Sequence, residues 1–445
     1  MDYVPHTQDD QKQMLKIIGV DAIEALFADI PEKFRLNGLL DLPEPLSEPE
    51  IFSKMKSISS LNAMVPTTLT GAGAYHHYIP AAVKHVISRS EFYTAYTPYQ
   101  AEISQGILQA IYEYQTMIAG LTGTQVANAS MYDGATAMAE AAVLSSKTLN
   151  RKKFVVGRSV HPEYRQVLAT YAWANGNEVI EASYDRTGQL DQLLLRDFID
   201  RDTAAVIVQS PNFIGIIENI GALSPGVHEQ GANLIAVFTE ATSLGILKPA
   251  GMLGADFVVG EGQAFGNPVN YGGPCLGIFA ASEKYVRKVP GRLAGATVDK
   301  NGKRGYVLTL QTREQHIRRE RATSNICTNE ALCALAASVY LVSLGKNLKA
   351  LGELNIRKAH YLKEKLSQLK GWKTVFPGPT YNEFVMACPN PARVNRKLQS
   401  LGIIGGYEIG HNYSDLENCL LICATEMLTR ETIDKIVVAV SEVTP

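Results

Sequence analysis

Apolar residues follow two rhythms along this chain. Residues 8–36 repeat with helical spacing, with Leu15, Ile18, Ala22 and Leu26 on one face and Pro31 closing the pattern. That predicts an N-terminal helical arm. From about 100 to 285 the rhythm changes to short, almost unbroken apolar runs rich in β-branched residues: KFVVG (153–157), NEVIEA (177–182), AAVIVQ (204–209), NLIAVFTE (233–240) and DFVVG (256–260). Runs without a polar alternate face predict strands buried on both sides, as in a parallel sheet wrapped by helices. HPEYRQVLATYAWAN (161–175) and LDQLLLRDFID (190–200) read as crossover helices, and a long helical stretch follows near 312–370. The tail returns to short strands, FVMAC and CLLIC, set among helices. The pattern therefore predicts an α/β protein with an arm over 1–65, a large, mostly parallel domain over 66–320 and a smaller C-terminal α/β domain over 321–445. In open parallel sheets ligands sit beyond the carboxyl ends of the strands, so residues just after each strand are the functional candidates.

Composition narrows the classes. With 445 residues, 46% hydrophobic and a formal net charge of −2, the chain can bury a large core, and nothing global points to nucleic acid or an acidic surface as partner. Six scattered cysteines, Cys275, Cys327, Cys333, Cys388, Cys419 and Cys423, are sparse for a disulfide scaffold and suit a reducing compartment. Cys419 and Cys423 fall inside an apolar run and read as buried thiols, so no metal site is expected there. The polar start MDYVPHTQDDQKQ resembles neither a signal nor a transit peptide, and the best apolar run, ALCALAASVYLVSLG, is short for a membrane span. A cytoplasmic location is expected.

Chemistry concentrates at the strand ends. NASMYDGATAMAEAAV (128–143) passes through Gly134, Ala135 and Thr136 into an alanine-rich helix. Small residues and a hydroxyl at a helix N-terminus can cradle a phosphate; a glycine-allowed turn with Thr136 as helix cap is the competing reading. GEGQAFGNPVNYGGP (260–274) has the breaks and glycines of a cofactor site, but no lysine, histidine or cysteine. Tyr93, Tyr96 and Tyr99 recur every three residues beside Pro98, followed by Gln100, Glu102 and Ser104. Rings bearing hydroxyls suit a site that stacks on a planar group and orients a small zwitterion; they equally suit a packed interface. His76 and His77 in GAGAYHHYIP are adjacent, so their side chains diverge and joint metal ligation is not expected; such a loop reads as lining a ligand cleft. His161 opens a helix and reads as structural or as stacking on a ligand. Arg313, Arg318, Arg319 and Arg321 interleave with Glu314 and Glu320, which reads as a solvated or salt-bridged helix, with a docking surface for an acidic carrier as the alternative.

Together, the phosphate-type loop, SPN after one strand, an acidic residue after the next and the glycine-rich stretch resemble the large domain of aspartate-aminotransferase-type pyridoxal phosphate (PLP) enzymes. More specifically, EFYTAYTPYQAEISQG (91–106), LTGTQVANASMYDGATAMAEA (121–141) and TREQHIRRERATSNICTNEAL (312–332) resemble the glycine decarboxylase, or P-protein, family of the glycine cleavage system. The likeness spans most of the chain and corresponds to the N-terminal half, which some bacteria encode as a separate subunit. The resemblance implies a fold-type-I PLP transferase architecture. It also implies that the family's His-Lys pair, whose lysine holds PLP, is replaced here by Gln263 and Ala264, and the pyridine-pairing aspartate by Glu240. An alanine cannot form an imine, so no catalytic residue and no covalent PLP are expected in this chain. Lys248, the nearest lysine in sequence, reads as a solvated residue in a connection between strands. The resemblance further implies PLP on a partner subunit 2 in an α2β2 assembly, the lipoyl group of H-protein as acceptor, and the T- and L-proteins as functional partners.

Overall fold

The computed structural model describes residues 5–36, 38–63, 65, 67–93 and 96–443. The chain divides into two compact units, 1–64 and 65–445.

The first unit holds the α-helix Glu48–Ser59 and, at the start of the predicted arm, the α-helix Gln8–Ile18, the latter started by a Thr7–Asp10 capping box. It stops at Gly19, which takes the left-handed conformation (φ 85°) and donates its N–H to the Leu15 carbonyl. The helical rhythm expected through Pro31 is thus cut, and Ile23–Phe27 and Glu32–Phe34 are separate 3₁₀ turns. The physical reason is local: glycine enters the left-handed region without a Cβ clash, and the chain leaves the helix there. None of the described residues 5–63 is buried.

The second unit is built on a seven-stranded sheet. Its strands are β1 (Val126–Ala127), β2 (Lys153–Gly157), β3 (Glu178–Ala182), β4 (Thr203–Gln209), β5 (Asn233–Phe238), β6 (Phe257–Glu261) and β7 (Gly277–Ala281). They lie in the order β1-β7-β6-β5-β4-β2-β3, with β7 antiparallel to both neighbours and the pairs from β6 to β3 parallel. β2, β4, β5 and β6 are buried throughout. β3 departs from the expectation of two buried faces: Glu178 and Glu181 are exposed, because an edge strand pairs on one side only. Helix Gly134–Leu149 packs its alanines on the sheet, and it starts where only glycine fits. A Cβ at Gly134 would stand 2.3 Å from Tyr164 Oη and 2.8 Å from Glu261 N.

The stretch near 312–370 is less helical than its periodicity predicts. Irregular backbone with short turns runs to Glu330, and helices Ala331–Leu344 and Leu348–Ser367 follow, parted by a turn at Gly345. Most of Ala331–Leu344, including Ala334, Leu335, Ala337, Tyr340 and Leu341, is buried in the core. By composition the run Ala331–Ser367 is apolar enough to cross a membrane, yet 56% of its most apolar window is buried inside the protein. It is a core helix pair. A second, antiparallel sheet combines Lys373–Thr374, Glu383–Ala387, Cys419–Cys423 and Tyr407–Glu408. Cys419 and Cys423 are buried in it.

One strap connects the two sheets. Thr67–Thr68 pairs with Ile403–Ile404, and Cys423 N–H donates to the Leu69 carbonyl. The chain then turns across the carboxyl ends of β5 and β6 as residues 71–78.

Candidate functional site

The carboxyl ends of β5 and β6 meet the 71–78 strap in a closed polar cluster. Glu240, after β5, is 1% exposed, and its carboxylate accepts four hydrogen bonds. Oε1 takes the Thr242 amide (2.9 Å) and hydroxyl (2.7 Å); Oε2 takes His77 Nε2 (2.9 Å) and Asn382 Nδ2 (2.8 Å). The other ring nitrogen of His77 donates to Glu426 Oε2 at 2.8 Å. Burial alone would push the His77 imidazole down, but the charges and hydrogen bonds of Glu240 and Glu426 outweigh it and lift it to about 10. His77 is therefore a buried imidazolium between two carboxylates. Burial would raise Glu240, and the His77 charge together with the Thr242 bonds holds it below its ordinary value instead.

Beside this triad, Tyr75 is buried and donates its hydroxyl to Glu383 Oε2 at 2.6 Å. Burial lifts Glu383 to about 7 against hydrogen bonds from Tyr75 and the Ala72 amide. Gln263 accepts the Tyr75 amide and donates to the Asn267 carbonyl, and Ala264 is 2% exposed within the main core.

The helix N-terminus at Gly134 is also occupied from within. Asp133 is the helix cap, accepting the Thr136 amide at 2.7 Å, so Thr136 is not the cap but the third residue of a capping box. Glu261, at the end of β6, accepts the amides of Gly134, Gln263 and Leu276. Burial pushes Glu261 up to about 7 against those three donors. The Gly134 and Thr136 amides, which a phosphate there would use, are held by this chain's own carboxylates. A cavity of about 400 Å³ remains, touched by Asp133, His161, Glu163, Glu261, Gln263 and Cys275 among others, with no lysine or arginine among the described residues that line it.

His161 caps its helix by accepting the Glu163 amide at 3.2 Å, and its Nε2 donates to the Ala72 carbonyl at 3.0 Å. Burial lowers its imidazole, in keeping with a neutral ring carrying the proton on Nε2. His76 is exposed, and its carbonyl accepts the Thr425 hydroxyl. His77 itself, expected to line a ligand cleft, is buried: the two carboxylates draw the loop inward. Lys248 is exposed in the connection between β5 and β6.

The tyrosine stretch lies elsewhere. Tyr93, Tyr96 and Tyr99 are 67%, 78% and 53% exposed. Gln100 and Glu102 are also exposed, and Ser104 is half-buried at the start of helix Gln105–Thr122. The arginine-rich segment corrects the expectation of a solvated helix: Arg313 and Glu314 are buried, while Arg318, Arg319 and Arg321 are exposed. The helix there spans just Gln315–Arg318, too short to present one charged face.

Sequence reasoning missed Tyr75, Asp133, Glu261, Glu383 and Glu426. Only Asp133 had a signal, an acidic residue three before a hydroxyl at a helix start. The others lie far apart in sequence and converge only on folding.

A profile of the glycine cleavage system P-protein matches residues 1–440. The chain belongs to that family. A protein of Desulfitobacterium hafniense named "Probable glycine dehydrogenase (decarboxylating) subunit 1" is 52% identical over 447 residues, covering 100% of both chains. A namesake from Anoxybacillus flavithermus is 52% identical over 98% of this chain and 97% of its own. A solved glycine decarboxylase (P-protein) in inhibitor-bound form superposes with a TM-score of 0.90 at 41% identity, over 100% of both chains. A sphingosine-1-phosphate lyase from Burkholderia pseudomallei shares the fold alone, with a TM-score of 0.65 at 15% identity over 93% of this chain and 94% of its own.

Measured against this P-protein family, the pocket does not fit PLP. Buried Ala264 offers no amine for an imine, the Glu240 carboxylate already accepts four hydrogen bonds, and a phosphate at Gly134 would face Asp133 and Glu261 with no lysine or arginine among the described residues lining the cavity. The strap engages Glu240 instead, with the His77 imidazolium supplying the positive charge beside it.

This triad sets a pH dependence. A histidine raised in the fold contributes stability that is fully present below its unfolded value near 6.5, and that is lost as pH rises through about 10. The buried Glu140, Glu218, Glu261 and Glu383, each lifted to about 7, lose their contribution between their unfolded value and that pH. They are common to wild type and variant. Urea unfolding from pH 6 to 10 is expected to show a steeper alkaline loss for the wild type than for His77→Gln; parallel slopes would remove the buried imidazolium.

Proposed function

We propose that this chain is the non-PLP-bearing subunit of a glycine-decarboxylating P-protein, active only together with a second subunit that carries the lysine and its PLP. The observation behind this reading is the engaged Glu240, held in the His77–Glu240–Glu426 triad, with Ala264 read in the lysine position. The cofactor chemistry, decarboxylation of glycine and transfer of the aminomethyl group to the lipoyl arm of H-protein, belongs to the partner. This chain's contribution is surface: exposed Tyr93, Tyr96 and Tyr99, with Gln100, Glu102 and Ser104 beside them, reach the partner's site, orient glycine and exclude water. The assembly is an α2β2 heterotetramer, the location cytoplasmic, and the T- and L-proteins complete the pathway.

Two measurements test this reading. Borohydride reduction of the isolated chain with PLP, followed by peptide mapping, is expected to label no specific lysine; one stoichiometric site would overturn the assignment. Glycine–bicarbonate exchange is expected at background with either subunit alone and at full rate on mixing. Full activity from the partner alone would reduce this chain to a scaffold.

A further inference from the structure

An exposed tyrosine on irregular backbone samples several rotamers unless something holds it. Tyr99 is held. Arg292, 2% exposed, directs its guanidinium Nη2 to Tyr99 Oη at 3.2 Å and lies 5.5 Å from the Tyr99 ring centre. The same guanidinium donates to the Cys327 carbonyl (2.9 Å), Thr328 Oγ1 (3.0 Å) and Asn329 Oδ1 (3.1 Å). Its charge faces Glu314 Oε2 at 3.9 Å. Asn329 in turn donates to the Ala129 carbonyl, and the Ala129 amide donates to the Arg292 carbonyl. His316 closes the outer side of Tyr99, edge to face, with ring centres 5.8 Å apart.

Arg292 thus joins three segments that are remote in sequence: the tyrosine stretch, residues 327–329 and the loop before Gly134. Four acceptors spread around one flat group are within reach of arginine's fork and beyond a lysine's single nitrogen. Pro98, buried between Thr97 and Tyr99, fixes its own φ beside the anchored ring.

We propose that Arg292 is a positioning residue for the glycine reaction, anchoring Tyr99 so that the tyrosine stretch meets the partner's site in one geometry. This rests on the reading of that stretch given above. Arg292 does not itself reach the reactants.

The test uses Arg292→Lys, Tyr99→Phe and the double variant. Hydrogen–deuterium exchange of peptides spanning 93–104 is measured on the isolated chain, and kcat and KM for glycine on the reconstituted complex. Both single variants are expected to speed exchange in 93–104 and to lower kcat about tenfold with little change in KM, the double being no worse than either single. Tyr99→Phe alters an exposed side chain and leaves the core intact, so it reads the contact even if Arg292→Lys fails to fold. Unchanged exchange in both would overturn the anchoring. Faster exchange with wild-type turnover would leave the anchor standing and overturn the catalytic use of the tyrosine stretch.

Discussion

Glu240→Ala is expected to destabilise this chain by about 3–5 kcal/mol, the usual cost of stripping a buried ion pair of one partner. The substitution leaves the His77 imidazolium with Glu426 alone and orphans the donors on Thr242 and Asn382. Chemical denaturation at pH 7 measures it. Glu240→Gln serves as the partner experiment: it keeps the shape and an acceptor oxygen but removes the charge, so its cost separates the ionic part from the hydrogen bonds. The acid limb supplies a second check. A carboxylate held below its ordinary value contributes stability that is present above its unfolded value and is lost as pH falls through its folded one. The wild type should therefore lose more stability than Glu240→Gln below about pH 4. A cost under about 1 kcal/mol for Glu240→Ala would mean that the triad does not hold the strap in place.

The second large effect is on turnover. Tyr96, 78% exposed, has no described neighbour that explains a bare phenol ring on the surface. If it faces the partner's site, Tyr96→Phe removes one hydrogen bond and keeps the ring. Such a bond is worth about 0.5–1.5 kcal/mol between neutral groups and up to about 3 with a charged partner. That range corresponds to roughly 2- to 150-fold in kcat/KM for glycine. Tyr96→Ala also removes the ring and is expected to lie at or beyond the upper end. Size-exclusion chromatography of the mixed subunits comes first, since failed assembly would mimic a chemical defect. A Tyr96→Ala complex that assembles and turns over normally would make Tyr96 a packing residue.

Much of the architecture was written in local pattern. The apolar runs at 153–157, 204–209, 233–238 and 256–260 became the buried centre of the sheet, because a strand covered on both faces has no polar alternate to show. CLLIC became a central strand of the second sheet for the same reason. That Ala264 cannot form an imine follows from residue identity alone. What periodicity could not give was where a pattern is interrupted. Gly19 ends a helix whose apolar spacing continues past it, and residues 322–330 lie on irregular backbone within a stretch read as helical.

The site itself was decided by tertiary structure. His77 reads in sequence as one of two loop histidines; its character comes from Glu240, Glu426 and the burial they share, residues 163 and 349 positions away along the chain. The Gly134 loop reads as a phosphate cradle until Glu261, 127 positions on, is seen to occupy its amide. Arg292 and Tyr99 are 193 residues apart and carry no joint signal. Residue types determine which chemistry is impossible here. Which charges end up buried against one another is fixed only when the strap crosses the strand ends, because desolvation and hydrogen-bond saturation are properties of the packed site and not of any segment within it.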